Sequence, residues 1–377
     1  MPETAVQSFE IKGVGRHRGR FSQIRIYLGK FFRMFINQND WKVLPMAAVI
    51  GALVGMVVQP NMFLTMEGTL FGAFALSCVC IWNGCFNSIQ VVCRERGIVK
   101  REHRSGMHIS SYVVAHMIYQ AFLCLAQTVL LTLVCYRIGV HFPEKGFITG
   151  WFALDFAISI FLVTYSSDML GLFISSFVRS TTAAMTIMPF LLIFQLIFSG
   201  GFFSLPEWSQ PLTNITISRY GLRSIAALGD YNDLPAVTAW NTLNKMQDTE
   251  VSKTLTVDDV AAVLQNVVIR ARLRELESAE GLTMEDVADV ILDSGMLQQF
   301  EGEGYDLHIK LRDVISAIGE ERVQEYVAEA TRLASHIDAY EQTADNVASC
   351  WVMLIVFSLG FAARATVSLE FIDKDKR

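Results

Sequence analysis

The stretch VVCRERGIVKREHRSGMHISSYVVAH, residues 91–116, places eight titratable side chains among the eleven positions from Arg94 to Arg104. On either side lie apolar runs long enough to cross a bilayer, and about 18 or more apolar residues in a row read as a transmembrane helix. A dense charge cluster between two such segments sets the fold class as an all-α membrane protein and marks where the chain leaves the bilayer. Six spans are predicted, at roughly 41–58, 68–93, 111–136, 151–178, 183–202 and 346–366. The composition agrees: 52% of the 377 residues are hydrophobic and only 18% are charged.

Charge is unevenly distributed. Residues 229–345 hold 24 acidic and 9 basic side chains, a net of −15, whereas the rest of the chain nets +9. Basic residues collect before the first span, in the opening stretch, at Arg179 and in the tail Lys374–Asp375–Lys376–Arg377. Loops around Glu67 and Glu144 and the acidic module lack that basic bias. The positive-inside rule then predicts cytoplasmic termini and a module lying outside.

Residues 1–20 read as a flexible cytoplasmic lead without the apolar core of a cleavable signal peptide. Over 21–38, Phe21, Ile24, Leu28, Phe31, Phe32 and Phe35 recur at helical spacing opposite Arg25, Lys30 and Arg33. That pattern fits a helix in the membrane interface or one packed on protein. Residues 203–228, broken by Pro206 and Pro211, read as a re-entrant outer segment, provided protein buries their irregular backbone. Thr256 with Asp259, and Thr283 with Asp286, open helices in the acidic module, followed by helical patterns over 308–318 and 321–343, so 229–345 reads as an extracytoplasmic helical domain.

No GxxxxGK[ST] phosphate loop, GxGxxG turn, HExxH pair or GxSxG elbow occurs, so no catalytic residue is assigned. The seven cysteines lie in or at the ends of apolar runs without metal or disulfide spacing, and no metal site or nucleic-acid partner is expected. Asn83, Asn87 and Gln90 share one face of the second span; Asp155 and Asp168 lie in the fourth and Gln195 in the fifth. Polar groups at membrane depth line a path or bond between helices. Asp168 and Gln195 are candidates for an intramembrane polar network, whereas Asp155 lies close enough to the outer interface to be hydrated.

The opening stretch resembles the first intracellular loop of ABCG-like, type-2 ABC transporter permeases, closest to bacterial members. The matching residues are Glu95, Arg96, Lys100, Arg101, Glu102, Gly106, Ser110 and Tyr112. Phe198–Ser199–Gly200, Pro206 and Tyr220 resemble that family's fifth-span end and outer segment. The resemblance implies the ABCG-like (type V) exporter fold and a permease subunit working as a homodimer or heterodimer in the plasma (inner) membrane. ATP and Mg would sit on a partner ATPase, with none on this chain. It further implies a coupling helix over 94–107 that docks on that ATPase through Glu95, Arg96, Lys100, Arg101, Glu102 and Arg104. The segment 21–38 would be the connecting helix. Second and fifth spans would line a substrate cavity, offering Asn83, Phe86, Asn87, Phe190, Phe194 and Ile197. The expected substrate is lipid-like, amphipathic or a peptide. A topological marker meeting only lipid headgroups would explain the basic residues but not Glu95 and Glu102. The large cysteine-free acidic module departs from the family. It leaves open a non-transporting scaffold or receptor whose outer domain binds an extracytoplasmic partner.

Overall fold

The computed structural model describes residues 19–37, 40–201, 205–247, 250–255 and 305–371. The lead up to residue 18, the helix starts at Thr256 and Thr283, and the basic tail lie outside the described residues. The described residues fall into two compact units, one made of the chain up to Pro235 with the chain from Arg332, the other of Ala236–Thr331.

In the first unit, helix α1 (Arg20–Asn37) leads into α2 (Val43–Val58), α3 (Met66–Ser88) and the short charged α4 (Val91–Arg104). Helices α5 (Ile109–Ile138), α6 (Phe152–Phe177) and α7 (Thr181–Ile197) follow, then the single turn α8 (Gln210–Thr213) and α9 (Ile217–Leu228). The chain returns to this unit for its last helix, named α13 below, at Ala344–Glu370. Five segments are long and apolar enough to cross a membrane: 40–58, 66–104 (α3 with α4), 109–138, 152–177 and 344–370. Helix α7, expected as a sixth span over 183–202, is 17 residues long, contains Pro189 and ends at Ile197. Thr65 and Ser180 accept from the backbone N–H three residues on and so cap α3 and α7; a side-chain cap satisfies one of the N–H groups that a helix start leaves open.

Lipid offers no hydrophobic drive for helices to associate, so they pack through small residues and interhelical hydrogen bonds. Helices α3 and α6 follow this rule closely. A Cβ on Gly84 would lie 2.2 Å from the Thr164 carbonyl oxygen, and one on Gly171 would lie 3.0 Å from that of Cys85. Ser166 Oγ donates to the Leu354 carbonyl at 2.8 Å, and Trp351 Nε1 donates to Ser159 Oγ at 2.8 Å, which fixes α13 against α6. The large apolar side chains point the other way: Met46, Val49, Leu53 and Met56 on α2 and Phe122, Leu125, Val129 and Leu133 on α5 are exposed. Such an outward apolar surface is what acyl chains cover.

Helix α1 uses part of its apolar face for contacts within the chain. It packs on α5, where Phe31 is buried with its ring 5.8 Å from that of Tyr112 and 3.9 Å from that of His116. Phe21 and Ile36 stay exposed at its ends. Helix α9 lies against α3, α6 and α13 with Ile217, Leu222 and Ile225 buried. The turn before α3 carries Phe63 at φ +62°, held because its N–H donates to Thr69 Oγ1 at 2.9 Å and its ring sits 5.1 Å from Phe152.

The second unit corrects the expectation of a purely helical module. Strands β1 (Glu250–Leu255) and β2 (Tyr305–Lys310) form an antiparallel pair with Val251 opposite Ile309 and Lys253 opposite Leu307. Tyr305, Leu307 and Ile309 alternate with Asp306, His308 and Lys310, a period of two that marks a strand. The helical pattern expected from residue 308 therefore begins at α11 (Leu311–Ile318), after α10 (Leu234–Lys245) and before α12 (Glu320–Ser335).

Two outcomes test this packing. Gly84→Val should lower the melting temperature in detergent by several degrees, as overpacking costs about 1–3 kcal/mol, whereas Gly97→Ala, with open space around it, should leave it unchanged; equal melting temperatures would contradict the close contact. Burial, with Asp233 nearby, pushes the Asp230 carboxyl up to about 6. The folded state thus holds a proton that the unfolded chain has already lost, and stability should fall as pH rises from about 4 to about 6. Asp230→Asn, which tolerates the φ of +54° found there, should flatten that slope in a pH series of thermal melts.

Candidate functional site

Helix α4 turns Val92, Cys93, Glu95 and Val99 inward and Arg94, Gly97, Ile98, Arg101 and Arg104 outward, a division at helical spacing. Its inner end is tied to α6. Ser175 Oγ accepts from the backbone N–H groups of Val92 and Cys93 at 3.0 and 3.2 Å, satisfying donors that a helix start leaves open. Arg96 donates to the carbonyls of Ser176 and Val178 at 3.0 and 3.2 Å. It therefore places its cation at the negative end of the α6 dipole.

The other end is tied to α1. Lys30 Nζ donates to Glu95 Oε2 at 3.2 Å, an ion pair whose carboxylate is almost fully buried. Tyr27 OH donates to Glu102 Oε2 at 3.0 Å. Burial and the Glu102 carboxylate push the Tyr27 phenol well above its usual value, so it remains a donor throughout the physiological range. Gln23 clamps the turn into α5, donating to the Gly106 carbonyl at 3.2 Å and accepting from the His108 N–H at 2.9 Å. Of the six residues expected to meet a partner, Glu95, Glu102 and Arg96 thus make contacts within the chain. Arg101 and Arg104 are exposed and Lys100 is half-buried. The interleaved glutamates serve α1. No signal in the local sequence distinguished that use, because their partners lie 65 and 75 residues away.

A second polar centre lies between α3, α5 and α6. Asp168 is fully buried and accepts from Ser88 Oγ, from Cys124 Sγ at 3.2 Å and from Asn87 Nδ2 at 3.4 Å. Asn87 and Gln127 exchange side-chain hydrogen bonds at 2.9 and 3.0 Å, and Gln120 donates to Ser88 at 2.7 Å. Three donors converge on one carboxyl with no basic residue among them. Gln120, Cys124 and Gln127 were missed in the sequence, although their spacing of four and three on α5 repeats that of Asn83 and Asn87 on α3 with Gln90, the N-cap residue of α4.

Gln195 belongs elsewhere. Its side-chain oxygen accepts from the Ser218 N–H at 3.1 Å and its carbonyl from the Ser218 hydroxyl, which fastens α7 to the start of α9. Asp155 is not hydrated as expected but buried, accepting from the backbone N–H groups of Ile148 and Thr149 at 2.9 and 3.0 Å. It secures the loop ahead of α6.

The six cavity candidates divide similarly. Asn83 is buried, and the Asn87 side chain is held by Gln127 and Asp168. Phe86 stacks beside Trp82 at 5.1 Å, and both are exposed. On α7, Phe190 and Ile197 are exposed, and Phe194 packs 4.8 Å from Phe198. Phe86 and Asn87 also border a cavity of about 210 Å³ closed by Phe31 and Gln120. Among the described residues, no group of three or more His, Cys, Asp or Glu side chains could hold a metal ion.

Residues 29–228 match the family model of the ABC-2 type transporter membrane domain, so more than half of the chain is covered. Over 155 residues the chain is 26% identical to the ABC transporter ATP-binding/permease protein Rv1747 of Mycobacterium tuberculosis. That stretch is 40% of this chain and 18% of the relative's length. The matched region runs from within α1 to the end of α9 and contains the Asp168 centre, the bonds of α4 to α6 and the Lys30–Glu95 pair, whereas Gln23 and Tyr27 precede it. The chain is a multi-pass membrane protein and belongs to the ABC-2 type transporter family.

Proposed function

We propose that the chain is the permease subunit of an ATP-driven exporter, with α4 as the element through which a partner ATPase moves the spans. The anchoring of α4 at both ends carries this reading. Through Ser175 and Arg96 it is continuous with α6, and through Lys30–Glu95, Tyr27–Glu102 and Gln23 with α1. A push on its outer face, at Arg94, Ile98, Arg101 and Arg104, then reaches a spanning helix without passing through a flexible joint. Charge-assisted hydrogen bonds give that grip direction, which an apolar contact alone would not.

In this reading α7 is a short sixth span, the α8–α9 segment is re-entrant, both termini and α4 are cytoplasmic, and the acidic unit lies outside. ATP and Mg are held by the partner, since this chain has no phosphate loop. A second permease copy covers the apolar faces that one chain leaves open, Trp82 and Phe86 on α3 with Phe190 and Ile197 on α7. The cavity between the two copies would take a lipid-like, amphipathic or peptide substrate. The work done is a conformational equilibrium switched by the partner's nucleotide state. The basic pattern and the family's bacterial relative support a plasma-membrane location in a bacterium.

Co-expression with a candidate partner ATPase tests the reading. Arg101→Glu on the outer face should abolish co-purification of the ATPase. Charge reversal at Glu102 or Glu95 should leave co-purification and membrane insertion intact and remove substrate stimulation of ATP turnover by tenfold or more. Stimulation at the wild-type level in the glutamate variants would overturn the coupling role. Lys30→Ala should in addition destabilise the protein by about 1–3 kcal/mol, as the buried Glu95 carboxylate is left without its donor; an unaltered unfolding midpoint would show that the pair contributes nothing.

A further inference from the structure

Where α6 ends, an open groove of about 800 Å³ runs between α4, the α6–α7 turn and α13. Three arginines border it, Arg96, Arg179 and Arg364, and among the described residues no acidic side chain lines it. Its walls are apolar, with Phe177, Val367 and Phe371 all more than half exposed. Arg364 is unusual for its place: it sits on the exposed face of a membrane-spanning helix, four residues from its α13 neighbour Ser368 and three from Val367. Among the described residues no carboxylate pairs with it. A cation facing hydrocarbon is costly unless an anion or water reaches it. The boundary level of the groove, set by the end of α6 at Phe177, is where lipid phosphates lie.

The geometry points to a binding site for an anionic glycerophospholipid, its phosphate held by Arg179 and Arg364 and one acyl chain laid against Phe177, Val367 and Phe371. Guanidinium matches phosphate oxygens in a bidentate fork, and basic pockets between spanning helices on the cytoplasmic side suit anionic headgroups. Arg96 has a separate duty at the carbonyls ending α6, so a lipid seated here touches the residue that joins α4 to α6. The lipid would stabilise that joint and make coupling sensitive to membrane charge. The inference needs only that α6 and α13 span a membrane, and it survives failure of the exporter reading.

The test uses the delipidated full-length protein, titrated with phosphatidylglycerol and with phosphatidylcholine of the same acyl chains, with bound lipid counted by native mass spectrometry. Phosphatidylglycerol should bind in preference. The double variant Arg179→Gln with Arg364→Gln should lower its affinity roughly thirtyfold, the equivalent of about 1 kcal/mol per arginine, and weaken phosphatidylcholine less, so that the preference between the two lipids is lost. Lysine at both positions should retain most of the preference. Arg364→Gln alone, the smaller perturbation should the double variant fold poorly, should weaken binding roughly fivefold by the same constant. Phe177→Ala should weaken both lipids. Equal binding of the two lipids by the native protein, or an unchanged preference in the glutamine variants, would overturn the site. So would displacement of the lipid by inorganic phosphate alone, which would make it a free-anion site. Loss of a co-purifying ATPase from the double variant with lipid retention intact would instead assign the groove to a protein partner and overturn it equally.

Discussion

The close approach of α3 and α6 is the constraint on which the rest of the first unit depends. In a bilayer, helices gain little from hiding apolar surface, and only short-range contact and hydrogen bonding hold them together. Gly84 brings the α3 backbone against the Thr164 carbonyl, and Gly171 returns the favour from α6. At that separation Ser88, Asn87 and Asp168 reach one another, and α5 can add Gln120, Cys124 and Gln127 from the third side. The buried carboxyl is therefore a product of the close packing as much as a support for it. The same approach brings the end of α6 beside the start of α4, where Ser175 and Arg96 make their bonds.

This arrangement separates two tasks that share one charged helix. The inward side of α4 is occupied by contacts with α1 and α6, while the outward side holds three arginines and Ile98. Membership in the ABC-2 type transporter family implies an ATPase partner, and in the proposed coupling role the outward side is the face that would meet it. In that proposed role Glu95 and Glu102, bonded to Lys30 and Tyr27 of α1, would set how stiffly a movement is passed on rather than how firmly a partner is held.

The spanning helices and the charged interruption were legible in the sequence because hydrophobic length and charge density are local properties. The approximate bounds of α5, α6 and α13 follow from them directly. What the chain does with each polar side chain was not legible, because that depends on partners far away in sequence. Glu95 looked available for another protein until Lys30 was found beside it, and Asp155 looked hydrated until its backbone donors came into view. Gln195 and Asp168 are both polar and both buried, yet serve separate joints. The β1–β2 pair was readable in principle, from the period of two over 305–310, but the strong helical pattern that follows from Leu311 obscured where it stopped.

Helix α7 has a further consequence through its length. Seventeen residues rise about 25 Å, whereas the hydrocarbon of an ordinary bilayer is about 30 Å thick. If α7 crosses the membrane, the bilayer beside it must thin or polar backbone near Phe198 must enter it, and either adjustment costs a fraction of a kcal/mol per Å. Pro189 adds a break in the helical hydrogen bonds midway along. Any motion that tilts or straightens α7 changes that mismatch, so the elastic state of the surrounding lipid becomes one of the thermodynamic variables setting which conformation prevails.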